Sequence, residues 1–238
     1  MKTMKTLGVL AAGLFCSAGL AMANSSDTLA DLVATGGSLT IGDKTFSGFS
    51  YTASSTLVAD GFSASDITVT AYIAGGVDYL EWTGGIALLN SGSGTVLGDL
   101  DLGYTVTAAS PSAINEIDQD YNGQIVNGSG LIGVTETVKV PGGAVVGNTV
   151  LTTTVLSVPG PWGLGSSQPF ITPPQPELIV NKDISLTALA SGNSLPSEVS
   201  ISEVEQSFHQ TTPDGGTTLA LLGFALAGCG MLSRKQSK

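Results

Sequence analysis

The run Asp118-Gln119-Asp120-Tyr121-Asn122-Gly123 places oxygen-bearing side chains at its first, third and fifth positions and a glycine at its sixth, the way a calcium loop begins. Such a loop closes its cage with a bidentate carboxylate at position twelve, and here that position is Ser129. Asp118, Asp120 and Asn122 therefore predict at best a weak calcium site, completed only if Glu116 or Glu136 reaches over; the plain alternative is a polar turn. No other cofactor is implied. Glu136 shares its parity with Val134, Val138 and Val140, so a regular strand would turn it inward. A bulge or an edge position is the cheaper expectation. His209 is the single histidine and lies four residues before Pro213, in what reads as an exposed linker. Neither a Ser-His-Asp relay nor a histidine-rich zinc site is expected from it. Two carboxylates could hydrolyse a glycosidic bond, but spacing in sequence singles out no pair. Trp82 with Tyr72, Tyr79 and Glu81 could form a platform that stacks on sugar rings, against the more frequent fate of a Trp in the core.

Positioning any of these groups requires a fold, and composition narrows which. Between Asn24 and Pro213 there are 18 acids, three lysines (Lys44, Lys139, Lys182) and no arginine. Nucleic acid is excluded as a partner, because backbone binding needs a basic face. Cys16 and Cys229 both lie in apolar terminal segments, so the region between has no disulfide, no thiolate nucleophile and no cysteine metal site. About 190 residues hold one core of ordinary size.

The elements read as strands. Runs rich in β-branched and aromatic residues recur at short intervals: 38–41, 44–51, 67–73, 79–82, 86–89, 95–107, 131–140, 145–158 and 178–186. Ile67, Val69, Ala71 and Ile73 alternate with Thr68, Thr70 and Tyr72, the mark of a half-buried strand. Gly42-Asp43 and Gly84-Gly85 read as hairpin turns. Leu29, Leu32 and Val33 suggest a helical turn ended by Gly36-Gly37. Residues 112–121 and 197–208 carry helical as well as strand spacing, with Ser200 and Glu203 placed as a capping box, and strands are favoured. Six prolines between Val158 and Glu177 bar that stretch from a central sheet, so 158–177 is expected as a long loop at the rim, pinned by Trp162 and Phe170. The expected fold is all-β, a single jelly-roll-like β-sandwich over residues 24–208.

The two ends have their own chemistry. Lys2 and Lys5 precede an apolar segment from Leu7 to Leu20, and Ala21 and Ala23 supply the small residues that signal peptidase reads. Residues 1–23 are thus an expected signal peptide. At the other end, Pro213-Asp214-Gly215-Gly216 precedes an uncharged run from Thr217 to Leu232 and a basic end with Arg234 and Lys235. As a helix that run would span roughly 24 Å, marginal for a bilayer. Positive charge immediately after it keeps the end cytoplasmic and everything before it outside the inner membrane.

This order of motif, apolar helix and basic end resembles the PEP-CTERM sorting signal, in the variants that carry Pro-Asp-Gly-Gly or Pro-Asp-Ser-Gly. The resemblance covers about twenty-six residues of the sorting segment 209–238, resting on Pro213–Gly216, on Thr217–Gly223 and on the basic end, with Thr212 where a Val is usual. It implies recognition by an exosortase, a membrane-embedded cysteine transpeptidase that cuts near the motif and passes the protein to the surface of a bacterium making exopolysaccharide. A structural or adhesive role linked to exopolysaccharide is the leading expectation, with a carbohydrate-binding module for that polysaccharide and a carboxylate-based glycan hydrolase as alternatives.

Overall fold

The structure, a computed structural model, describes residues 24–155, 160–167, 170–190 and 195–211, with backbone only for those between 148 and 167. Among them, thirteen strands form two antiparallel sheets packed face to face. The strands are β1 (Ser25–Thr28), β2 (Leu39–Ile41), β3 (Lys44–Ala53), β4 (Thr68–Ala74), β5 (Val77–Asn90), β6 (Thr95–Ala108), β7 (Ala113–Val126), β8 (Ser129–Lys139), β9 (Val145–Val155), β10 (Gly160–Ser167), β11 (Phe170–Gln175), β12 (Glu177–Leu189) and β13 (Ser197–Thr211). One sheet has the order β1-β4-β5-β13-β7-β10 with β11 also on β7, and the other β2-β3-β6-β12-β8-β9. From β5 to β8 the chain changes sheet at each step, β9 pairs beside β8 as a hairpin, β10 returns to the first sheet, and β12 and β13 enter the middle of either sheet. Two antiparallel sheets packed in this way make an all-β sandwich.

Alternation builds the core. Leu100, Leu102, Tyr104 and Val106 of β6 face inward, as do Val180, Ile184 and Leu186 of β12, and meet Leu80, Trp82, Val204 and Phe208 from the opposite sheet. Phe46, Phe49, Tyr104 and Phe208 form an aromatic cluster with ring centroids 5.1 to 6.4 Å apart, a spacing at which tilted rings attract. The expected helical turn is α1 (Leu29–Thr35), capped by Thr28, whose hydroxyl accepts from the Asp31 N–H, and ended by Gly36 at φ 63°. A second short helix, α2 (Ser55–Ala59), seats Leu57 in the core.

Several expectations are corrected. Gly84-Gly85 is not a turn: β5 runs unbroken, with Thr83 opposite Glu203 and Ile86 opposite Ile201, so the two glycines face only Ser202. They form a bulge. Gly84 has φ 149°, and a Cβ there would lie 2.5 Å from the Asp66 carbonyl oxygen, so glycine is required by close approach. Most of the proline-rich stretch is strand, not loop, because β10 and β11 pair with β7. Both lie outside the centre of the sheet, where a missing N–H costs no ladder bond on the free side. Phe170 is 68% exposed and pins nothing; Ile171 is the buried residue there. The two ambiguous segments are strands β7 and β13, and β13 extends through His209 to Thr211, past the expected boundary at 208.

Candidate functional site

The outer face of the seven-stranded sheet gathers most of the polar residues singled out by sequence. Asp118, Asp120 and Asn122 occupy alternate positions of β7 and point outward together. They line one side of a strand and do not wrap around a point, so the expected calcium-loop geometry is absent. His209 stands on β13 opposite Glu116, half-buried, not on a linker. Its Nε2 lies 3.0 Å from Asp118 Oδ2 and 3.3 Å from Ser207 Oγ, and Ser207 Oγ lies 3.2 Å from the same carboxylate oxygen. A catalytic relay uses the two ring nitrogens separately, one for the acid and one for the serine. Here a single nitrogen serves both, and the group is a hydrogen-bonded cluster without relay geometry. Glu116, Asp118 and His209 can each bring one ligand atom within 4.8 Å of the others. Nitrogen beside two carboxylates suits a borderline divalent ion such as zinc better than calcium.

On neighbouring strands, Tyr72 and Tyr79 stack at 5.0 Å with an interplanar angle of 8°. The Tyr72 hydroxyl donates to Glu205 at 2.5 Å. Partial burial and that carboxylate push the Tyr72 pKa well up. Glu81 is raised by burial and then by Glu203 and Glu205, which share the patch. Trp82 is not part of this platform. It is 3% exposed, in the core between the sheets.

Two depressions mark this face. One, of about 150 Å³, is bordered by Tyr79, Asp118, Asp120, Glu205 and Ser207. The other, of about 310 Å³, lies where the Gly84-Gly85 bulge and a second bulge at Ser202 open the sheet. Gly85, Ala87 and Ser200 give it a low floor, and Asn122, Gln124 and Glu198 stand at its sides. Small side chains at a double bulge make a shallow groove across β5, β13 and β7. Its walls offer amide donors, carbonyl acceptors and a carboxylate, the groups that pair with hydroxyls.

A second polar cluster lies inside the core, and it corrects the expectation for Glu136. The β8 strand is regular there, Glu136 is fully buried, and Lys182 from β12 meets it at 2.6 Å. Gln206 donates to the same Glu136 oxygen, and Tyr104 donates to Gln206. Sequence reasoning missed Lys182, although its place between Val180 and Ile184 on an alternating strand signals an inward position. It also missed Lys44, which is buried against Asp78 at 3.2 Å and Asp43 at 2.6 Å and donates to Gln210.

The sorting residues Pro213, Asp214, Gly215 and Gly216, the run 217–232, Arg234 and Lys235, and the signal-peptidase residues Ala21 and Ala23 lie outside the described residues. No helix among the described residues is long and apolar enough to cross a membrane. Residues 213–235 match a known family description. The tail carries a VPDSG-CTERM motif. It is a PEP-CTERM-type, exosortase-targeted signal, and such signals are processed from a transient membrane-anchored precursor to an exported protein at the cell surface. Among curated proteins none matches this chain. Its sandwich is similar to the solved structure of TmCBM61 in complex with β-1,4-galactotriose, at 7% identity and a TM-score of 0.30, covering 66% of this chain and 87% of that one. It is also similar to the enzymatically active domain of bacteriophage CBA120 tailspike protein 4, at 8% identity and a TM-score of 0.23, covering 78% of this chain and 19% of that one.

Proposed function

We propose that this exported protein is an adhesive surface component whose groove over β5, β13 and β7 holds a polysaccharide, the matrix exopolysaccharide being the expected ligand. The observation that carries the reading is the groove itself, about 310 Å³, open at the surface and walled by Asn122, Gln124 and Glu198. A sugar chain presents rows of hydroxyls that both donate and accept, and amides paired with a carboxylate answer both roles. The acidic surroundings of the groove disfavour anionic chains and leave a neutral polysaccharide as the best fit. The exosortase-targeted tail supports this reading, since a protein delivered to the cell surface meets the polymers outside it.

Affinity electrophoresis tests this. Surface-extracted protein is run through gels containing a neutral glucan, a galactan or the producing cell's own exopolysaccharide. Retardation is expected in at least one gel, and Asn122→Ala/Gln124→Ala should relieve it. Two hydrogen bonds at about 1 kcal/mol each correspond to a loss of roughly thirtyfold in affinity. Free migration of the unmodified protein in all three gels, or equal retardation of the variant, refutes the reading.

A further inference from the structure

Lys182 has no access to solvent, and its Nζ donates at once to Glu136 Oε2 at 2.6 Å and to Gln119 Oε1 at 2.9 Å. Gln119 and Glu136 are buried as well, and the Trp82 ring centroid lies 5.9 Å from the lysine nitrogen. The other Glu136 oxygen is buried without a hydrogen-bond partner, although a carboxylate in such a place calls for several. Burial lowers the Lys182 pKa, against the opposing pull of Glu136. The three groups present are a nucleophilic amine, an acid able to move protons, and a carboxamide carbonyl.

We propose that Lys182 and Gln119 become joined by an intramolecular isopeptide bond, with Glu136 carrying the protons. Glu136 takes one proton from the ammonium, and the freed Nζ lone pair forms a bond to Gln119 Cδ. A second Nζ proton passes through Glu136 to the Gln119 amide nitrogen as the Cδ–Nε2 bond breaks. Ammonia leaves, Glu136 keeps the proton it gained, and nothing is oxidised or reduced. With Nζ 2.9 Å from Oε1 and a carbonyl bond of about 1.23 Å, Nζ lies no more than about 4.1 Å from the carbon it attacks. Rotation about the last side-chain torsion of Gln119, a soft one, turns the carbonyl face to the amine. Gln119 Nε2, the nitrogen that departs, donates to the Val134 carbonyl oxygen at 3.4 Å. Two buried charges are exchanged for one amide, which removes their desolvation penalty and drives the reaction. The product ties β12 of one sheet to β7 of the other.

The test uses the full chain, purified from producing cells, denatured and cut with chymotrypsin, for which Tyr104, Tyr121, Leu178 and Leu186 flank the two residues. Tandem mass spectrometry should find a branched peptide linking the Gln119 and Lys182 segments, about 17 Da lighter than the two together, the mass of one ammonia. Glu136→Gln should leave both segments linear with unaltered masses. Recovery of both segments from the unmodified protein as linear peptides of unaltered mass overturns the proposal. Because that result is read on the natural sequence, a misfolded variant cannot mask it.

Discussion

Replacing Lys44 by Met should expose how much the acidic end of this sandwich depends on one buried cation. Lys44 is fully buried, with Asp78 Oδ2 at 3.2 Å and Asp43 Oδ1 at 2.6 Å, and the Asp78 side chain is only 11% exposed. Removing one partner of a buried pair costs about 3–5 kcal/mol, and the partial exposure of Asp43 places this case near 3. At about 2–4 °C per kcal/mol for a domain of this size, the melting temperature at pH 7 should fall by roughly 6–12 °C. The sign of the pH dependence follows from the two acids. Burial raises the pKa of Asp78 despite Lys44, so its ionisation destabilises the fold as pH rises through that raised value. Without Lys44 the value rises further. For Asp43, burial is outweighed by the hydrogen bonds of Lys44 and Ser112, which hold it below its ordinary value. Its stabilisation is present above the unfolded pKa and loses its largest contributor with the lysine. Both effects make the deficit largest at neutral pH and shrink it toward pH 4, as Asp78, the raised acid, protonates first. Circular dichroism melts from pH 4 to 8 check this, with Lys44→Met/Asp78→Asn expected to regain most of the loss. A deficit independent of pH, or one under 2 °C at pH 7, refutes the reasoning.

Gly84→Ala forces a Cβ to within 2.5 Å of the Asp66 carbonyl at a positive φ; a loss of about 2 kcal/mol or more is expected, read as a fall in denaturation midpoint. Asp99 has its pKa raised to about 6 by burial and then by Asp183 and Asp101. Such a raised carboxyl costs stability as pH climbs through about 6, so Asp183→Asn should raise the melting temperature at pH 7.5 by about 1–4 °C and leave it unchanged below pH 4, by calorimetry. Changing Pro213 and Asp214 to Ala should leave the apolar run of the tail intact and make uncut precursor accumulate in membranes, whereas deleting 217–238 should release soluble protein; mature protein still ending at Lys238 by intact mass refutes processing.

Strand alternation made most of the sandwich legible. Periodicity at Ile67–Ile73 and Thr95–Thr107 located β4 and β6 because apolar residues sit on one face. Gly84-Gly85 misled because glycine pairs mark turns and bulges alike, and only the register against β13 tells them apart. The polar core was unreadable for a different reason. A glutamate or lysine at an inward parity looks like an error of register until the partner arrives from another strand, and Glu136 and Lys182 are separated by 46 positions. Likewise, Asp118 and His209 meet across 91 positions through the pairing of β7 with β13. The outer groove had no sequence signal, since its defining residues are small and owe their role to two facing bulges.

The last strand lies between β5 and β7 and ends at Thr211, a single residue before the sorting motif begins at Pro213. Any surface attachment made near that motif therefore pulls directly on β13, along its length. Its ladder bonds to both neighbours are perpendicular to the strand, so tension loads two rows of them in shear at the same time. They must give way together, not open one by one from an end. A strand held on only one side would peel; this one acts as a mechanical clamp at the point where the domain meets its sorting tail.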